Sequence, residues 1–262
     1  MALVELRQDG AVLTAVLNRP ACHNALTPEM VGAVTAVFNQ LASRDDVRVV
    51  VLTGNGRSFC AGADLNSMRA AADFGYEENL ADGKAIFDMV QAVDSCPKPV
   101  IGRINGAAIG GGVGLVSACD IVVAVERAKF AFSEARLGIV PAVISPFVLA
   151  KIGTANGREL FLTGERFDAA HAQRIGLVQH VVAEEELDAK VNERIGQLLQ
   201  AAPGAQAAVK ALIDAVAYQP KADMRDITAT LIAQRRASAE GREGMSAFLE
   251  KRRPNWQPEN GD

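Results

Sequence analysis

The stretch Asn105-Gly106-Ala107-Ala108-Ile109-Gly110-Gly111-Gly112-Val113-Gly114-Leu115-Val116-Ser117-Ala118-Cys119-Asp120 lies between two apolar, β-like runs, residues 99–104 and 121–125. The pattern predicts strand, turn, short apolar helix, strand. Successive glycines at the turn-to-helix junction leave backbone N–H groups bare, with no Cβ to hold a ligand away. A helix N-terminus adds unpaired donors and a partial positive charge. Such a place suits an anion, or an oxygen that becomes anionic during a reaction. The plainer alternative is close helix–strand packing, where glycine only lets backbones approach. Nucleotide phosphate binding fits poorly, because the run does not spell G-x-G-x-x-G and no P-loop lysine follows it.

Upstream, residues 3–7 and 11–17 alternate apolar with polar or small side chains around Asp9-Gly10 and read as a β-hairpin. Thr27-Pro28-Glu29 opens a helix, with Thr27 as N-cap and Pro28 in the first turn. Residues 47–53 form a β-branched run expected of a strand buried on both faces. The next turn, Ser58-Phe59-Cys60-Ala61-Gly62-Ala63-Asp64-Leu65-Asn66, again brings small-residue amides to a helix start, with Asp64 as the N-cap. Residues 73–80 read as a mobile connector and 81–95 as a helix that Pro97 breaks.

Downstream, residues 128–132 read as a strand leading to Ser133-Glu134-Ala135-Arg136-Leu137-Gly138. In that segment Ser133 is expected to cap one helical turn and Gly138 to close it. Helices are expected over 154–162, 168–175 and 184–200, with an extended piece at 178–182. Pro203-Gly204 marks a shift in composition, and residues 205–251 are alanine-rich and helical in pattern. This divides the chain into a core, 1–200, and a helical appendage, 201–262, whose final residues, 254–262, are expected to be loose. No internal sequence repeat is evident.

At 262 residues, with 49% hydrophobic and 22% charged side chains, the chain can bury one large core. A net charge of −4 and 5% aromatics argue against nucleic-acid binding. Neither a secretory signal nor a membrane span is expected, which points to the cytoplasm. The cysteines Cys22, Cys60, Cys96 and Cys119 are then expected as free thiols, and His23, His171 and His180 have no metal-ligand spacing.

If the turns at Gly62-Ala63-Asp64 and Gly110-Gly111-Gly112 converge, main-chain donors grip one carbonyl oxygen from two sides. Losing one such donor typically costs about 2.7–4 kcal/mol of transition-state stabilisation. With Leu17-Asn18-Arg19-Pro20, Ser58 to Leu65, Ile104-Asn105-Gly106, Gly110 to Gly112, Ala118-Cys119-Asp120 and Phe132-Ser133-Glu134 through Gly138 and Pro141, in this order and spacing, the chain resembles the crotonase (enoyl-CoA hydratase/isomerase) superfamily.

The resemblance implies an α/β fold, a β-β-α spiral core with a helical C-terminal region that assembles trimers or dimers of trimers. It implies an acyl-CoA thioester substrate, with coenzyme A part of the substrate and no separate cofactor or metal. By position, the amides of Ala63 and Gly111 hold the thioester oxygen, Glu134 is the acid/base, and Ala61, Ala63, Asp64, Leu65, Asn66, Gly110 and Gly111 line the substrate path.

Where the hydratase pattern has a second glutamate, this chain has Gly114. Three residues along a helix return to the same face, so position 114 faces the site without a side chain. One carboxylate slightly favours an isomerase. The local sequence from Gly112 to Ser117, from Ser133 to Gly138 and from Pro141 to Pro146 instead resembles members that hydrate branched, carboxylated enoyl-CoAs. These are of the methylglutaconyl or isohexenylglutaconyl type, in leucine or acyclic-terpene breakdown. Arg136 or Arg69 would meet such a carboxylate, although solvated surface charge is the plainer reading of each. An RNA-binding relative or a noncatalytic acyl-CoA binder is the reading from another class. Lys251-Arg252-Arg253, the one dense basic run, is either a solvated helix end or a contact for CoA phosphates.

Overall fold

The structure is a computed structural model and describes residues 2–217 and 219–257. Nine strands form two sheets among the described residues. In the larger sheet β1 (Val4–Asp9) pairs antiparallel with β2 (Val12–Leu17). Parallel neighbours follow in the order β3 (Val49–Gly54), β4 (Val100–Ile104), β6 (Ile121–Val125) and β9 (His180–Val182). The smaller sheet runs β5 (Ala108–Ile109), β7 (Lys129–Ala131), β8 (Arg166–Asp168).

The chain climbs in turns of the same plan. Each passes through the large sheet, then through a short extended piece at the small sheet, then into a helix. After β2 comes α1 (Pro28–Leu41), and after β3 come α2 (Leu65–Ala71) and α3 (Tyr76–Asp94). β4 and β5 lead to α4 (Gly111–Ala118). β6 and β7 lead through a 3-10 turn (Ser133–Leu137) to α5 (Ser145–Thr163). Isolated bridges continue the small sheet into earlier turns, pairing Cys60 with Ala108 and Leu26 with Ala63. The continuous β-branched run makes β3 wholly buried, and α1, α3, α4 and α5 pack in sequence against one another. Fully buried Phe38, Phe59, Phe130 and Phe132 anchor this core, each contributing about 1.5–3 kcal/mol by its burial.

Several local expectations are corrected. The segment at 73–80 is mostly helix: α3 starts at Tyr76, because Glu78 accepts the Gly75 N–H at 2.8 Å and Asn79 donates to the Phe74 and Gly75 carbonyls. The helix expected at 154 starts at Ser145, with Pro146 in the first turn where no donor is needed, and it breaks at Gly153 (φ 71°). Ser133 does not cap the 3-10 turn; Phe132 occupies that position, whereas Gly138 closes the turn with φ 74° as expected. β8 carries no sequence signal, since three residues are too few to show a period.

Beyond α6 (Ala169–Arg174) and α7 (Leu187–Gln200) come α8 (Pro203–Val216), α9 (Arg225–Ala237) and α10 (Ala239–Leu249). Residues 254–257 are tied down rather than loose. Arg48 donates to the carbonyls of Leu199, Ala201 and Trp256 at 3.0, 2.7 and 2.5 Å, and the Trp256 indole donates to the Gln200 carbonyl. Residues 258–262 lie outside the described residues. A second tie is the ion pair of Lys210 on α8 with Asp120, at 2.7 Å. No helix among the described residues is long and apolar enough to cross a membrane.

Arg48→Met leaves three carbonyls without their donor. It is expected to lower stability by about 1–3 kcal/mol and to open residues 201–257 to protease before the core. Limited proteolysis with mass spectrometry and a melting curve reads both.

Candidate active site

Residues 60–64 are held edge-on between two neighbours. On one side Cys60 N–H donates to the Ala107 carbonyl and Ile109 N–H to the Cys60 carbonyl, at 3.1 and 3.0 Å. On the other, Leu26 N–H donates to the Gly62 carbonyl at 2.7 Å and Asp64 N–H to the Leu26 carbonyl at 3.0 Å. Residues alternate direction along an extended chain, so this bridge turns the Ala63 N–H away from Leu26. Gly62 takes φ +82°, and a methyl there would lie 2.6 Å from the Ile109 carbonyl oxygen and 3.8 Å from Gly110 Cα. The Leu26 side chain in turn lies against Gly111, 2.9 Å from where a methyl would stand. The two glycine turns therefore touch.

The amides at these turns divide into spent and free. Ala61 N–H is spent on the His23 carbonyl and Gly110 N–H on the Ala131 carbonyl. Gly111 N–H opens α4 and has no acceptor within the helix. Ala63 and Gly111 N–H groups are among the donors at these turns left without a backbone acceptor. Asp64 caps α2, its Oδ1 accepting from Asn66 and Ser67 N–H groups, and its Oδ2 pairs with Arg19 at 3.1 Å. The Asn66 N–H first, and then the Arg19 guanidinium, hold its carboxyl below the usual range. Leu65 is exposed, and Asn66 accepts from Arg69 at 3.2 Å.

Glu134 is the second residue of the 3-10 turn one spiral step later, and its carboxylate comes to rest against Gly110. A methyl on Gly110 would lie 3.0 Å from Oε1, and the φ of +50° at Gly110 itself favours glycine. The other oxygen, Oε2, is buried without a hydrogen-bond partner. Burial pushes the carboxyl above its usual range, opposed by a hydrogen bond with its own backbone. A carboxylate with a poised proton affinity beside free main-chain donors is the arrangement needed for acid/base work at a polarised carbonyl.

The enoyl-CoA hydratase/isomerase family model matches residues 7–259. The chain belongs to this family. It is 38% identical to an enoyl-CoA hydratase from Shewanella pealeana whose crystal structure superposes with a TM-score of 0.94, covering 97% of this chain and 96% of that one. Pseudomonas aeruginosa AtuE is 36% identical with a TM-score of 0.94, over 98% of this chain and 100% of that one. Enoyl-CoA hydratase AKT6-1 of Alternaria alternata is 36% identical over 209 residues, 79% of this chain and 68% of its own length. The solved structures carry the crotonase fold expected for the core, with helices in the C-terminal region.

Within this family frame the environment of Gly114 stands out. The space a side chain would take is filled: a methyl on Gly114 would lie 2.5 Å from Ile144 Cγ2 and 3.4 Å from Val90. Ile144, just before α5, is 1% exposed. Position 114 is an apolar contact between helices rather than a gap. The cations have local engagements. Arg136 Nε donates to the Thr163 carbonyl at 3.0 Å, and Arg252 pairs with Glu243 and Glu250. Cys60 lies close to Gly112, but burial pushes its thiol up to about 12, so it offers no thiolate. Among the described residues no cluster of three or more metal-ligating side chains occurs.

Two residues that hold the site escaped sequence reasoning. Asn24, fully buried, donates to the carbonyls of Asn55, Ser58 and Phe59 and accepts the Arg19 N–H at 2.8 Å. His23 contributes its carbonyl to Ala61 and places Nδ1 3.0 Å from Ser58 Oγ. His23 and Asn24 take left-handed φ, 52° and 57° respectively. Asn is enriched in that region, which is the one local signal available.

Glu134 carries a stability prediction. A carboxyl raised in the folded state makes its ionised form costly. That cost is absent below the ordinary glutamate value of 4.5, grows as pH rises to the raised value, and persists above it. Glu134→Gln is expected to raise the melting temperature at pH 7 and to leave it unchanged near pH ~4. Thermal melts at the two pH values check this.

Proposed function

We propose that this chain adds water across the 2,3 double bond of an enoyl-CoA. Glu134 is the single observation that carries the proposal: a half-buried carboxylate with one unpartnered oxygen, set against the glycine turn that offers a free amide. In this reading the Ala63 and Gly111 N–H groups hold the thioester oxygen and draw electrons from the double bond. Glu134 takes a proton from water as its oxygen bonds to Cβ, and the thioester collects the charge as an enolate. Glu134 then returns that proton to Cα on the same face. One O–H bond of water and the C2–C3 π bond break, one C–O and one C–H bond form, and the glutamate ends as it began. Ala61, Asp64, Leu65, Asn66 and Gly110 shape the path as backbone and rim. Coenzyme A enters as part of the substrate, with no separate cofactor.

The acyl group in this proposal is branched and carboxylated, of the methylglutaconyl or isohexenylglutaconyl type. Arg136 and Arg69, both exposed, are the cations offered to its distal carboxylate. A second reading, a Δ-isomerase with Glu134 moving one proton along an allylic system, is favoured by the apolar filling at Gly114, which leaves no second carboxylate there.

Incubation of a 2-enoyl-CoA in ¹⁸O-labelled water separates the two. Hydration yields a labelled 3-hydroxyacyl-CoA, and isomerisation an unlabelled 3-enoyl-CoA. Glu134→Gln is expected to lower turnover by about 10²–10⁴-fold while CoA-thioester binding persists. Near-wild-type turnover by that variant overturns the assigned role.

The proposal extends to a cytoplasmic trimer or dimer of trimers. Its support is the appendage, where Ile213, Ile227, Phe248 and Leu249 are between 47% and 82% exposed. An apolar groove of about 530 Å³ also separates α8 from α9, lined by Ala208, Ala211, Leu212, Ile227 and Leu231. Light scattering at micromolar concentration is expected to give at least three times the chain mass, and a monomer refutes the assembly.

A further inference from the structure

The segment from Arg19 to Leu26 acts on the Ala63 turn through many bonds and with one net charge. Arg19 lies at its start. Its backbone N–H donates to Asn24 Oδ1, its Nη1 to the Ala25 carbonyl at 2.7 Å, and its Nη2 to Asp64 Oδ2 at 3.1 Å. Leu26, at the other end, holds the residues on either side of Ala63 by the bridge described above. Consecutive left-handed residues at His23 and Asn24 make this short path possible. Non-glycine residues persist in that region only where the surroundings over-determine them. The side chains of Arg19 and Asp64 are 22% and 8% exposed, so solvent screens the pair poorly.

Asp64 presents an electrostatic difficulty. Its carboxylate belongs to the residue following the Ala63 donor, and α2 uses it as a cap. Left unmatched, a fixed negative charge there opposes any negative charge that develops on an oxygen held by the Ala63 N–H. Arg19 removes that opposition and fixes the turn at the same time.

We infer that Arg19 is a positioning residue for the reaction: through Asp64 it orients the Ala63 amide and cancels the charge of the cap, so that the amide can stabilise an enolate. This rests on the reading that Ala63 and Gly111 bind the thioester oxygen. The pair acts on the charged state of the substrate and not on the CoA portion, so its effect falls on kcat rather than on KM.

The test uses the full-length protein and acetoacetyl-CoA, whose enolate absorbs in the near ultraviolet, alongside turnover of a 2-enoyl-CoA. Wild type is expected to raise the enolate band on binding. Arg19→Met is expected to lower kcat by about 10–10²-fold and to weaken the band, with KM and affinity for free CoA little changed. Adding Asp64→Asn keeps a capping side chain and deletes the unmatched charge, so Arg19→Met/Asp64→Asn is expected to recover severalfold in kcat and in the band.

A double variant no better than Arg19→Met overturns the inference, and so does an Arg19→Met protein that keeps band and kcat. Should Arg19→Met not fold, Arg19→Lys replaces it. That variant keeps the cation and is expected to keep the band, and loss of the band in a folded Arg19→Lys protein overturns the inference. If wild type itself shows no enolate band, the amide reading falls and this inference with it. A wild-type band that survives Arg19→Met overturns the inference alone.

Discussion

The stacking of one strand-strand-helix turn on the next is the constraint from which the site follows. Ala63, Gly111 and Glu134 occupy the same place in three consecutive turns, the junction between the small-sheet segment and the following helix or 3-10 turn. Parallel pairing fixes the register of Cys60 with Ala108, and of Ala108–Ile109 with Phe130–Ala131, so the junctions beyond them must line up. Residues 63, 111 and 134 are remote in sequence, yet their turns adjoin, Gly62 against Gly110 and Gly110 against Glu134, because each lies at the start of a helical segment. Nothing further is needed to bring two helix starts and an acid into one neighbourhood.

Close stacking explains the glycines better than ligand approach alone does. A methyl on Gly106 would lie 2.0 Å from the Arg57 carbonyl oxygen, and one on Gly112 would lie 2.4 Å from the Cys60 carbonyl oxygen. Backbone there packs against backbone that cannot yield. Gly110 differs, because its missing Cβ makes room for the Glu134 carboxylate. The glycine-rich stretch therefore serves packing and the candidate site at once, and the two readings of its composition are not rivals.

Much of this was legible in the residues. Thr27, Asp64 and Asp168 were readable as helix starts, and each side chain caps the helix that follows it. The β-branched run at β3 gave its burial. The junctions at Gly62 and Gly110 were legible as turns, but their contact was not, because the bridges of Leu26 to Ala63 and Cys60 to Ala108 are single residue pairs with no periodicity. The spiral left no sequence repeat, since each turn differs in length and in its connecting helix. Asn24 was silent for a related reason: one buried carboxamide serves a loop 31 to 35 residues away, and local sequence carries no record of such a partner. The start of α3 was lost because Glu78 and Asn79, polar residues in a polar segment, make the bonds that begin it.

Ile144 shows how distant choices are coupled in such a stack. It sits at the entry to α5, where Pro146 in the first turn helps fix the backbone, and it fills the face of α4 one turn below Gly111. Any side chain at 114 would have to displace Ile144, whose Cγ2 lies 2.5 Å from where its first carbon would stand, and would crowd Val90 at 3.4 Å. The number of acids at the candidate site is therefore set jointly by α4 and by the segment leading into α5. The burden of proton transfer in the proposed reaction then rests on Glu134, whose unpartnered Oε2 and raised proton affinity are the expected cost of keeping one carboxylate partly dry.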